Sequence, residues 1–376
     1  TELVNVEFEA AKMKVGKGAF TGCTGLSSID INAAVISAYA FQGCTSLSEV
    51  RLGKDVSVIG EYAFADTKIA KFNLASANTY LQAKDGGKYI YKGTELIVAA
   101  PKVVGEGIGN TVTLSADTAS IATGAFSGNA ALFELTATGV TSVGDYAFSD
   151  CTNLKKVTLG KLKTIGAYAF ANTAITSTPD LSEAESIGKY AFALTKIAKV
   201  TLPGGVFADD YAFALNTELK EVEIGDGAVI GEAAFYSRLT DNSFEGTGKF
   251  NSDSYQTYEY EVKNETGATA KTYTYYSYNI KSGNVSALTS LTVGKNVTIG
   301  NYAFAGNAKL EKITWNGNGE GVIIGDYAFY NAASLVTADL SNIKTIGEGA
   351  FSGVRRMDLR INENKIYAAY RIAMNG

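Results

Sequence analysis

The residue types that most often do chemistry in proteins are scarce in this chain. Its 376 residues include no histidine and only three cysteines. Without histidine there can be no Ser-His or Cys-His nucleophilic system, no His-ligated zinc and no imidazole base near neutral pH. Only carboxylate, lysine or tyrosine chemistry is left. We therefore predict no catalytic residue, no metal ligand and no cofactor, and we expect that the chain is not an enzyme.

The three cysteines share one position relative to a recurring phenylalanine. Cys23, Cys44 and Cys151 each lie three residues after it, and asparagine takes the same place elsewhere: Asn129, Asn216 and Asn307. A position shared by Cys and Asn indicates an internal polar ladder that satisfies backbone groups. Cys23 and Cys44 come from adjacent repeats, yet stacked parallel side chains rarely bring Cβ atoms close enough for a disulfide. We favour free, buried thiols.

Two further patterns resemble ligand-binding loops only in part. Asp241, Ser243, Glu245 and Gly246 follow the spacing of a calcium loop, but the twelfth position is Ser252 instead of glutamate. Two glycine triplets complete no phosphate-binding fingerprint and are predicted to be turns: Gly105, Gly107 and Gly109, and Gly317, Gly319 and Gly321.

A short phrase that ends in Ala-Phe occurs twelve times and predicts the architecture. One copy reads Ile-Gly-Lys-Tyr-Ala-Phe and ends at Phe192. Most steps between copies are 21 to 23 residues, which is the period of a solenoid of stacked coils. We predict that the twelve phenylalanines form the repeat core: Phe20, Phe41, Phe64, Phe126, Phe148, Phe170, Phe192, Phe213, Phe235, Phe304, Phe329 and Phe351.

Each repeat also contains a strand signal and a turn signal. After the phenylalanine comes Leu-x-x-Val-x-Leu, whose alternation predicts a short strand with one buried face. An Ile-Gly pair follows, as at Ile165-Gly166, where we expect the glycine to permit a positive φ or the close approach of the next coil. Tyr168 and Phe170 then represent the two aromatic positions. We expect the phenylalanine to point inward and the tyrosine to lie nearer the rim.

Composition fits one soluble body that does not bind nucleic acid. Apolar residues make up 46% and aromatic residues 11%, enough for a continuous core, and the net charge of −5 suggests no polyanionic partner. There is no run of 18 apolar residues, so we expect no membrane insertion. The first ten residues lack the features of a signal peptide, and the chain opens inside a repeat. We expect a monomer that is part of a longer precursor.

The phrase Phe-x-x-Cys-Thr-x-Leu-x-x-Val-x-Leu, followed by Ile-Gly-x-Tyr-Ala-Phe, resembles the BspA-like leucine-rich repeat family. The segment from Phe148 to Phe170 matches almost throughout, and the resemblance covers roughly residues 3–75, 112–235 and 288–360. It implies a β-rich, right-handed leucine-rich-repeat solenoid of the α/β-repeat type, with a parallel β-sheet of coils of about 22 residues. It also implies an extracellular or bacterial cell-surface protein that binds a protein or glycan, with host extracellular matrix among the candidate ligands.

Two long intervals interrupt what we predict to be a single domain spanning residues 1–376. The insertions cover about residues 76–111 and 238–287, and each contains a hairpin signal. In the first, Tyr89-Ile90-Tyr91 and Leu96-Ile97-Val98 flank a Lys-Gly-Thr turn. The second holds seven tyrosines: Tyr255, Tyr258, Tyr260, Tyr273, Tyr275, Tyr276 and Tyr278. These tyrosines are candidates for partner binding, or they form an aromatic cover over the core.

The outward positions of the predicted strands carry mixed charges, for example Glu49 with Arg51 and Lys199 with Thr201. Three functions remain open. The first is an adhesion module that binds through the sheet face or the tyrosine insertion. The second is a passive stalk of a larger surface protein. The third, and least favoured, is a carbohydrate-active enzyme on a β-solenoid, for which we find only the adjacent acids Glu221 and Glu223.

Overall fold

The computed structural model describes residues 3–4, 6, 13–101, 110–237, 255–263, 269–278, 286–354 and 358–360. Over these residues the chain forms a β-solenoid of about 13 coils, with two kinds of parallel sheet along its length. The predicted leucine-rich-repeat solenoid is confirmed. The described part contains no α-helix, and the segments opposite the longer strands are turns and very short strands.

The first kind of sheet, here called the long-strand sheet, is built from the Leu-x-x-Val-x-Leu signal. Val50 and Leu52 point into the core, whereas Glu49 and Arg51 are exposed, as period-two alternation requires. Its strands are Ser28–Ile31, Glu49–Leu52, Phe72–Leu74, Asn110–Thr113, Leu132–Ala137, Lys156–Leu159, Lys199–Leu202, Glu221–Ile224, Ser290–Val293, Lys312–Trp315, Thr337–Asp339 and Asp358–Arg360.

The second kind, the short-strand sheet, consists mainly of two-residue strands. Most of them end at the Ile or Val that begins the recurring phrase ending in Ala-Phe. The second residue of nearly every two-residue strand is buried, as at Ile36 and Ile187, and Ile346 is partly buried. The strands are Lys14–Val15, Val35–Ile36, Val58–Ile59, Gln82–Lys84, Tyr89–Lys92, Glu95–Ala99, Ser120–Ile121, Ser142–Val143, Thr164–Ile165, Ser186–Ile187, Phe207–Ala208, Val229–Ile230, Thr298–Ile299, Ile323–Ile324 and Thr345–Ile346.

Two 3-10 turns complete the described elements. They are Asp85–Gly87, within the first insertion, and Asn316–Gly319, which contains the predicted turn glycines Gly317 and Gly319. Gly321 has a positive φ of 70° in the bend that follows. The second triplet is therefore a turn, as predicted.

The long-strand sheet is divided into three segments, and each break has a local cause. The strands Phe72–Leu74 and Asn110–Thr113 are separated by the first insertion. The segment that ends at Lys156–Leu159 stops before a coil containing Pro179, which is buried where a strand residue would donate to the ladder. Proline has no amide hydrogen to donate, so this coil forms no strand.

The two insertions have opposite effects on the solenoid. Across the second, Glu221 pairs directly with Ser290, so the long-strand sheet is continuous there. The first is built into the solenoid, because Tyr89–Lys92 and Glu95–Ala99 form an antiparallel hairpin within the short-strand sheet. Both predicted hairpins are confirmed, since Tyr255–Lys263 pairs antiparallel with Thr269–Tyr278.

The glycine of the Ile-Gly pair allows close approach and has no positive φ. A Cβ on Gly166 would lie 2.4 Å from the backbone nitrogen of Asp145 in the preceding coil, which is too close for any side chain. The positive φ falls two residues later, on tyrosines such as Tyr168 (φ 57°) and Tyr190 (φ 56°). For a residue other than glycine this left-handed conformation costs roughly 1–2 kcal/mol. Stacking of the tyrosine rings offsets that cost.

The aromatic residues form two separate columns. The phenylalanine column runs through the core, with consecutive stacked rings 5.0 to 5.5 Å apart. The tyrosine column lies beside it, with stacked rings 4.7 to 5.2 Å apart. Tyr168, Tyr190 and Tyr211 are buried among alanines, so the middle of this column is less rim-like than the sequence predicts.

One hydrophobic cluster extends from Val15 to Phe351 and passes both insertions. Eleven of the twelve repeat phenylalanines are buried, while Phe20, at the first described coil, is partly buried against them. The hairpin of the first insertion adds Ile90, Tyr91 and Leu96 to this core.

We predict that the phenylalanine column contributes more stability per ring than the tyrosine column. Phe170 is fully buried and stacked on both sides, so Phe170→Ala should lower the free energy of unfolding by roughly 3 to 5 kcal/mol. Tyr168→Ala should cost less, because Tyr168 is 8% exposed and Phe170 is fully buried. Denaturant melts of both variants test this, and a larger loss for Tyr168→Ala would contradict it.

Backbone strain at the tyrosine position gives a second prediction. Ala233 takes this position with φ 53° and has no ring to offset the strain, whereas Gly18, Gly124 and Gly349 occupy it elsewhere. Ala233→Gly should therefore be neutral or stabilise the fold by up to about 1 kcal/mol. The neighbouring Ala234→Gly is the matched control and should cost about 1 to 2 kcal/mol. Equal losses of stability in the two variants, measured by thermal melts, would show that the left-handed backbone at Ala233 does not destabilise the fold.

Candidate binding surfaces

The three cysteine thiols are free and buried, as the sequence predicts. Cys44 Sγ donates to the carbonyl of Phe20 at 3.0 Å, and Cys151 Sγ donates to that of Phe126 at 3.1 Å. Burial raises the pKa of the Cys151 thiol to about 12, although a hydrogen bond with the Asn129 backbone opposes the shift. A thiol with so high a pKa is a poor nucleophile. These cysteines are structural.

In most other coils an asparagine or threonine side chain donates to a backbone carbonyl as the cysteine thiols do. Asn216 Nδ2 donates to the carbonyls of Phe192 and Phe213, at 2.9 and 3.1 Å. In coils with a shorter turn, a threonine hydroxyl donates to the carbonyl three residues earlier, as from Thr173 to Phe170 at 2.8 Å. In these coils the side chain three residues after the phenylalanine therefore supplies a donor to a buried carbonyl, which would be costly to leave unpaired.

Groups that bind metals do not gather in the part of the chain that the structure describes. No cluster of three or more Cys, Asp or Glu side chains with the geometry of a metal site occurs there. The partial calcium loop at residues 241–252 and the first glycine triplet, within residues 102–109, lie outside the described residues. In the described residues there is also no helix long and apolar enough to span a membrane.

The tyrosine hairpin is described through its backbone. Its register pairs Tyr258 with Tyr275 and Tyr260 with Tyr273, so these four positions share one face of the ribbon. The positions Tyr255, Tyr276 and Tyr278 share the other face, because Tyr255 pairs with Tyr278. The sequence could group tyrosines within each strand, but it could not show which face of one strand matches which face of the other.

The exposed face of the long-strand sheet carries a row of threonines. Thr113, Thr136 and Thr158 are neighbours by register in one segment. In the C-terminal segment the same row continues through Thr201, Glu223, Thr292 and Thr314. The sequence shows the individual threonines, but their alignment follows only once the register is known. This face presents hydroxyl groups at regular intervals along the solenoid.

Charged groups on this face are largely paired with one another. Lys199 Nζ lies 2.9 Å from Glu223 Oε1 and 3.3 Å from Glu221 Oε1. Hydrogen bonds from Lys199 and Thr201 lower the pKa of the Glu223 carboxyl. Surface ion pairs of this kind contribute little to stability. The acids Glu221 and Glu223 are held by one lysine, an arrangement that does not resemble a catalytic acid pair.

A shallow depression of about 360 Å³ lies where the first three long strands end. Asp30 and Arg51 form an ion pair of 3.4 Å at its wall, with both side chains more than 60% exposed. The side-chain amides of Asn32 and Asn73 also line it and make no hydrogen bond with another described residue. Polar groups with unused donors and acceptors therefore converge on one concave patch.

The segments that border this depression pack closely against one another. A Cβ on Gly53 would lie 2.4 Å from Oδ1 of Asn32, so only glycine fits beside that side chain. The loop that follows is anchored to the same coil, because Asn78 Nδ2 donates to the carbonyls of Gly53 and Val56 at 2.9 and 2.8 Å. The loop beside the depression is thus hydrogen-bonded to the coil that lines it.

The tyrosine column presents ring edges and phenol groups, since its ring faces are covered by neighbouring rings. A sugar that stacks on an aromatic face therefore finds few free faces along the described column. Burial raises the pKa of Tyr62, Tyr168 and Tyr211, and neighbouring tyrosines or acids add to the effect. Their phenols stay protonated at neutral pH.

One family model matches most of the sequence. It describes a BspA type leucine rich repeat region, and six copies cover residues 1–85, 119–242 and 273–369. No curated protein sequence matches the chain.

Several solved structures are similar at low identity. A leucine-rich repeat protein from Bacteroides ovatus is 16% identical over 96% of this chain and 80% of its own, with a TM-score of 0.48. One from Eubacterium ventriosum is 18% identical over 88% and 83%, with a TM-score of 0.46. The pneumococcal vaccine antigen PcpA is 17% identical over 75% and 60%, with a TM-score of 0.44.

Stability should fall at alkaline pH because of the tyrosine column. A phenol whose pKa is raised in the folded state stabilises the fold fully below its unfolded pKa of about 10, and this contribution is lost as pH rises further. We predict cooperative unfolding above that pH. The double variant Tyr168→Phe/Tyr211→Phe keeps both rings but removes two titrating groups, so its alkaline midpoint should shift upward. An unchanged midpoint in circular dichroism would contradict the assignment.

Proposed function

This chain belongs to the BspA-type leucine-rich repeat family, and on that premise we propose that it is a non-enzymatic binding module. It recognises a protein or glycan through the exposed face of the long-strand sheet. The depression at Asp30, Arg51, Asn32 and Asn73 is the centre of the contact.

The observation that carries this proposal is the convergence of unused polar groups on one concave patch. Asn32 and Asn73 each offer an amide donor and acceptor, and Arg51 has guanidinium hydrogens beyond the one that faces Asp30. Amides both donate and accept hydrogen bonds and guanidinium groups donate them, so these side chains can pair with the hydroxyl groups of a glycan or the polar groups of a protein. The threonine row extends this polar surface along the solenoid.

We also propose an extracellular or bacterial cell-surface location. The family resemblance supports it, and one similar structure is described as a leucine rich cell surface protein from Faecalibacterium prausnitzii. The candidate ligands are accordingly glycans and extracellular matrix proteins.

The tyrosine hairpin is a second candidate surface. Four of its seven tyrosine positions share one face by register, which favours a contact made mainly with that face. The competing proposal is a passive stalk, for which neither surface binds a ligand.

The proposal predicts loss of binding when the depression is altered. The double variant Arg51→Ala/Asn73→Ala should reduce binding to an array of immobilised glycans and matrix proteins by at least about tenfold, because charge-assisted hydrogen bonds typically contribute 1.5–3 kcal/mol each. Both side chains are exposed, so the melting temperature should stay close to that of the parent.

The matched control is Thr164→Ala/Thr345→Ala, which changes two exposed positions on the short-strand sheet. It should bind like the parent. Equal loss in both double variants would argue against the depression as the contact. Absence of binding by the parent to the whole array would favour the stalk.

A further inference from the structure

The turn segments that carry the two aromatic columns are joined by a regular backbone ladder. In each coil the amides of the tyrosine, the phenylalanine and the residue two further on donate to carbonyls of the next coil. Tyr168, Phe170 and Asn172 do so over 2.8, 2.8 and 3.0 Å. The ladder continues even across the second insertion, where the Phe235 amide donates to the Ala303 carbonyl over 2.8 Å.

One junction breaks this ladder. The amides of Tyr62, Phe64 and Asp66 donate no hydrogen bond to any described residue. In the facing coil the carbonyls of Thr123 and Ser127 accept none from a described amide. The hairpin of the first insertion supplies strands for the short-strand sheet, but it supplies no turn segment at this level. Among the described residues, one rung of the ladder is missing.

A cleft of about 380 Å³ occupies the place of the missing rung. Ile97, Val98 and Pro101 line it together with the two facing turn segments. The insertion satisfies one group of the facing wall, because the Ala99 amide donates to the Ala125 carbonyl over 3.1 Å. The volume falls within the range of about 300–1,000 Å³ that is usual for ligand sites.

The aromatic positions of the missing rung are already filled. Phe72 packs against Phe64 with ring centroids 5.2 Å apart and tilted by 59°. The Tyr62 ring makes an edge contact with Tyr146 at 5.8 Å, and it covers Gly124, whose added Cβ would lie 3.4 Å from that ring. The remaining space therefore suits a backbone with small side chains.

Two further observations indicate an open and acidic site. Ala65, after Phe64, is only half-buried, whereas Ala171 and Ala193 at the equivalent position are fully buried by an intact next rung. Asp66 is the charged residue among the described residues that line the cleft, and it is exposed and forms no ion pair with another described residue. A basic group on an occupant would be attracted to it.

We propose that this cleft binds an extended peptide of a partner protein, with small side chains and a basic residue at one end, as the missing rung. Its carbonyls accept from the amides of Tyr62, Phe64 and Asp66. Its amides donate to the carbonyls of Thr123 and Ser127. Backbone pairing of this kind resembles strand addition at a sheet edge, where main-chain hydrogen bonds give affinity. The site is separate from the depression on the long-strand sheet.

The first test is amide hydrogen exchange in the free chain. The amides of Tyr62, Phe64 and Asp66 should exchange at least about tenfold faster than those of Tyr168, Phe170 and Asn172, which lie in intact rungs. Equal protection of the two sets would mean that the chain itself already fills the cleft, and it would overturn the proposal.

The second test selects ligands from a displayed library of random peptides, with a synthetic copy of the best peptide as the probe. Selected peptides should be rich in Ala, Ser and Gly and contain Lys or Arg, and the probe should slow exchange at Tyr62, Phe64 and Asp66. Ala65→Leu fills the cleft and should abolish binding. Its matched control is Ala174→Leu, at another half-buried alanine, which should bind normally.

A third variant guards against a folding defect in Ala65→Leu. Asp66→Asn changes an exposed side chain and should weaken the basic probe severalfold, with less effect at high salt. Failure to select any peptide, or a probe that binds Ala65→Leu as well as the parent, would overturn the proposal.

Discussion

Every coil must place the same atoms one strand spacing from those of the next coil, and most of the structure depends on this constraint. Phenylalanine rings 5.0 to 5.5 Å apart leave no room for a differently shaped residue in the column. The glycine found two residues before most of the column tyrosines is required because the preceding coil comes too close for a Cβ, as at Gly166. The donor found three residues after most of the phenylalanines is required because the column buries a carbonyl there. The residue type at each position of the repeat therefore follows from the constant spacing between stacked coils.

Much of this fold could be predicted because the repeat occurs so often. The period indicated stacked coils, alternation indicated strands, and the exchange of Cys for Asn indicated an internal ladder that the structure contains. The left-handed backbone at the tyrosines could not be predicted, because propensity assigns such a conformation to glycine. Ring stacking between coils, which is a tertiary effect, overrides that preference at Tyr168 and its equivalents.

The candidate sites were less visible in the sequence. The intervals of 62 and 69 residues between repeat phenylalanines look alike as interruptions, yet only the shorter one interrupts the backbone ladder among the described residues. Whether an insertion loops out or replaces part of a coil depends on which strands pair, and the pattern does not specify that pairing. The depression at Arg51 likewise arises from register, which aligns Asp30 with Arg51 and Arg51 with Asn73. The two surfaces also differ in chemistry. The depression offers side-chain hydrogen-bonding groups to a ligand, whereas the cleft at the first insertion offers backbone amides and carbonyls.

The break at the first insertion also has a mechanical consequence. The first three coils pair in sheets of their own and share no strand pairing with the remaining described coils. Side-chain contacts such as the edge contact of Tyr62 with Tyr146 and the packing of the Tyr62 ring over Gly124 hold the two parts together. A tensile load along the solenoid axis would be carried by rows of backbone hydrogen bonds elsewhere, but mainly by side-chain packing at this junction. The junction would then be the compliant element of an otherwise stiff rod, and strain from a tethered surface would concentrate there.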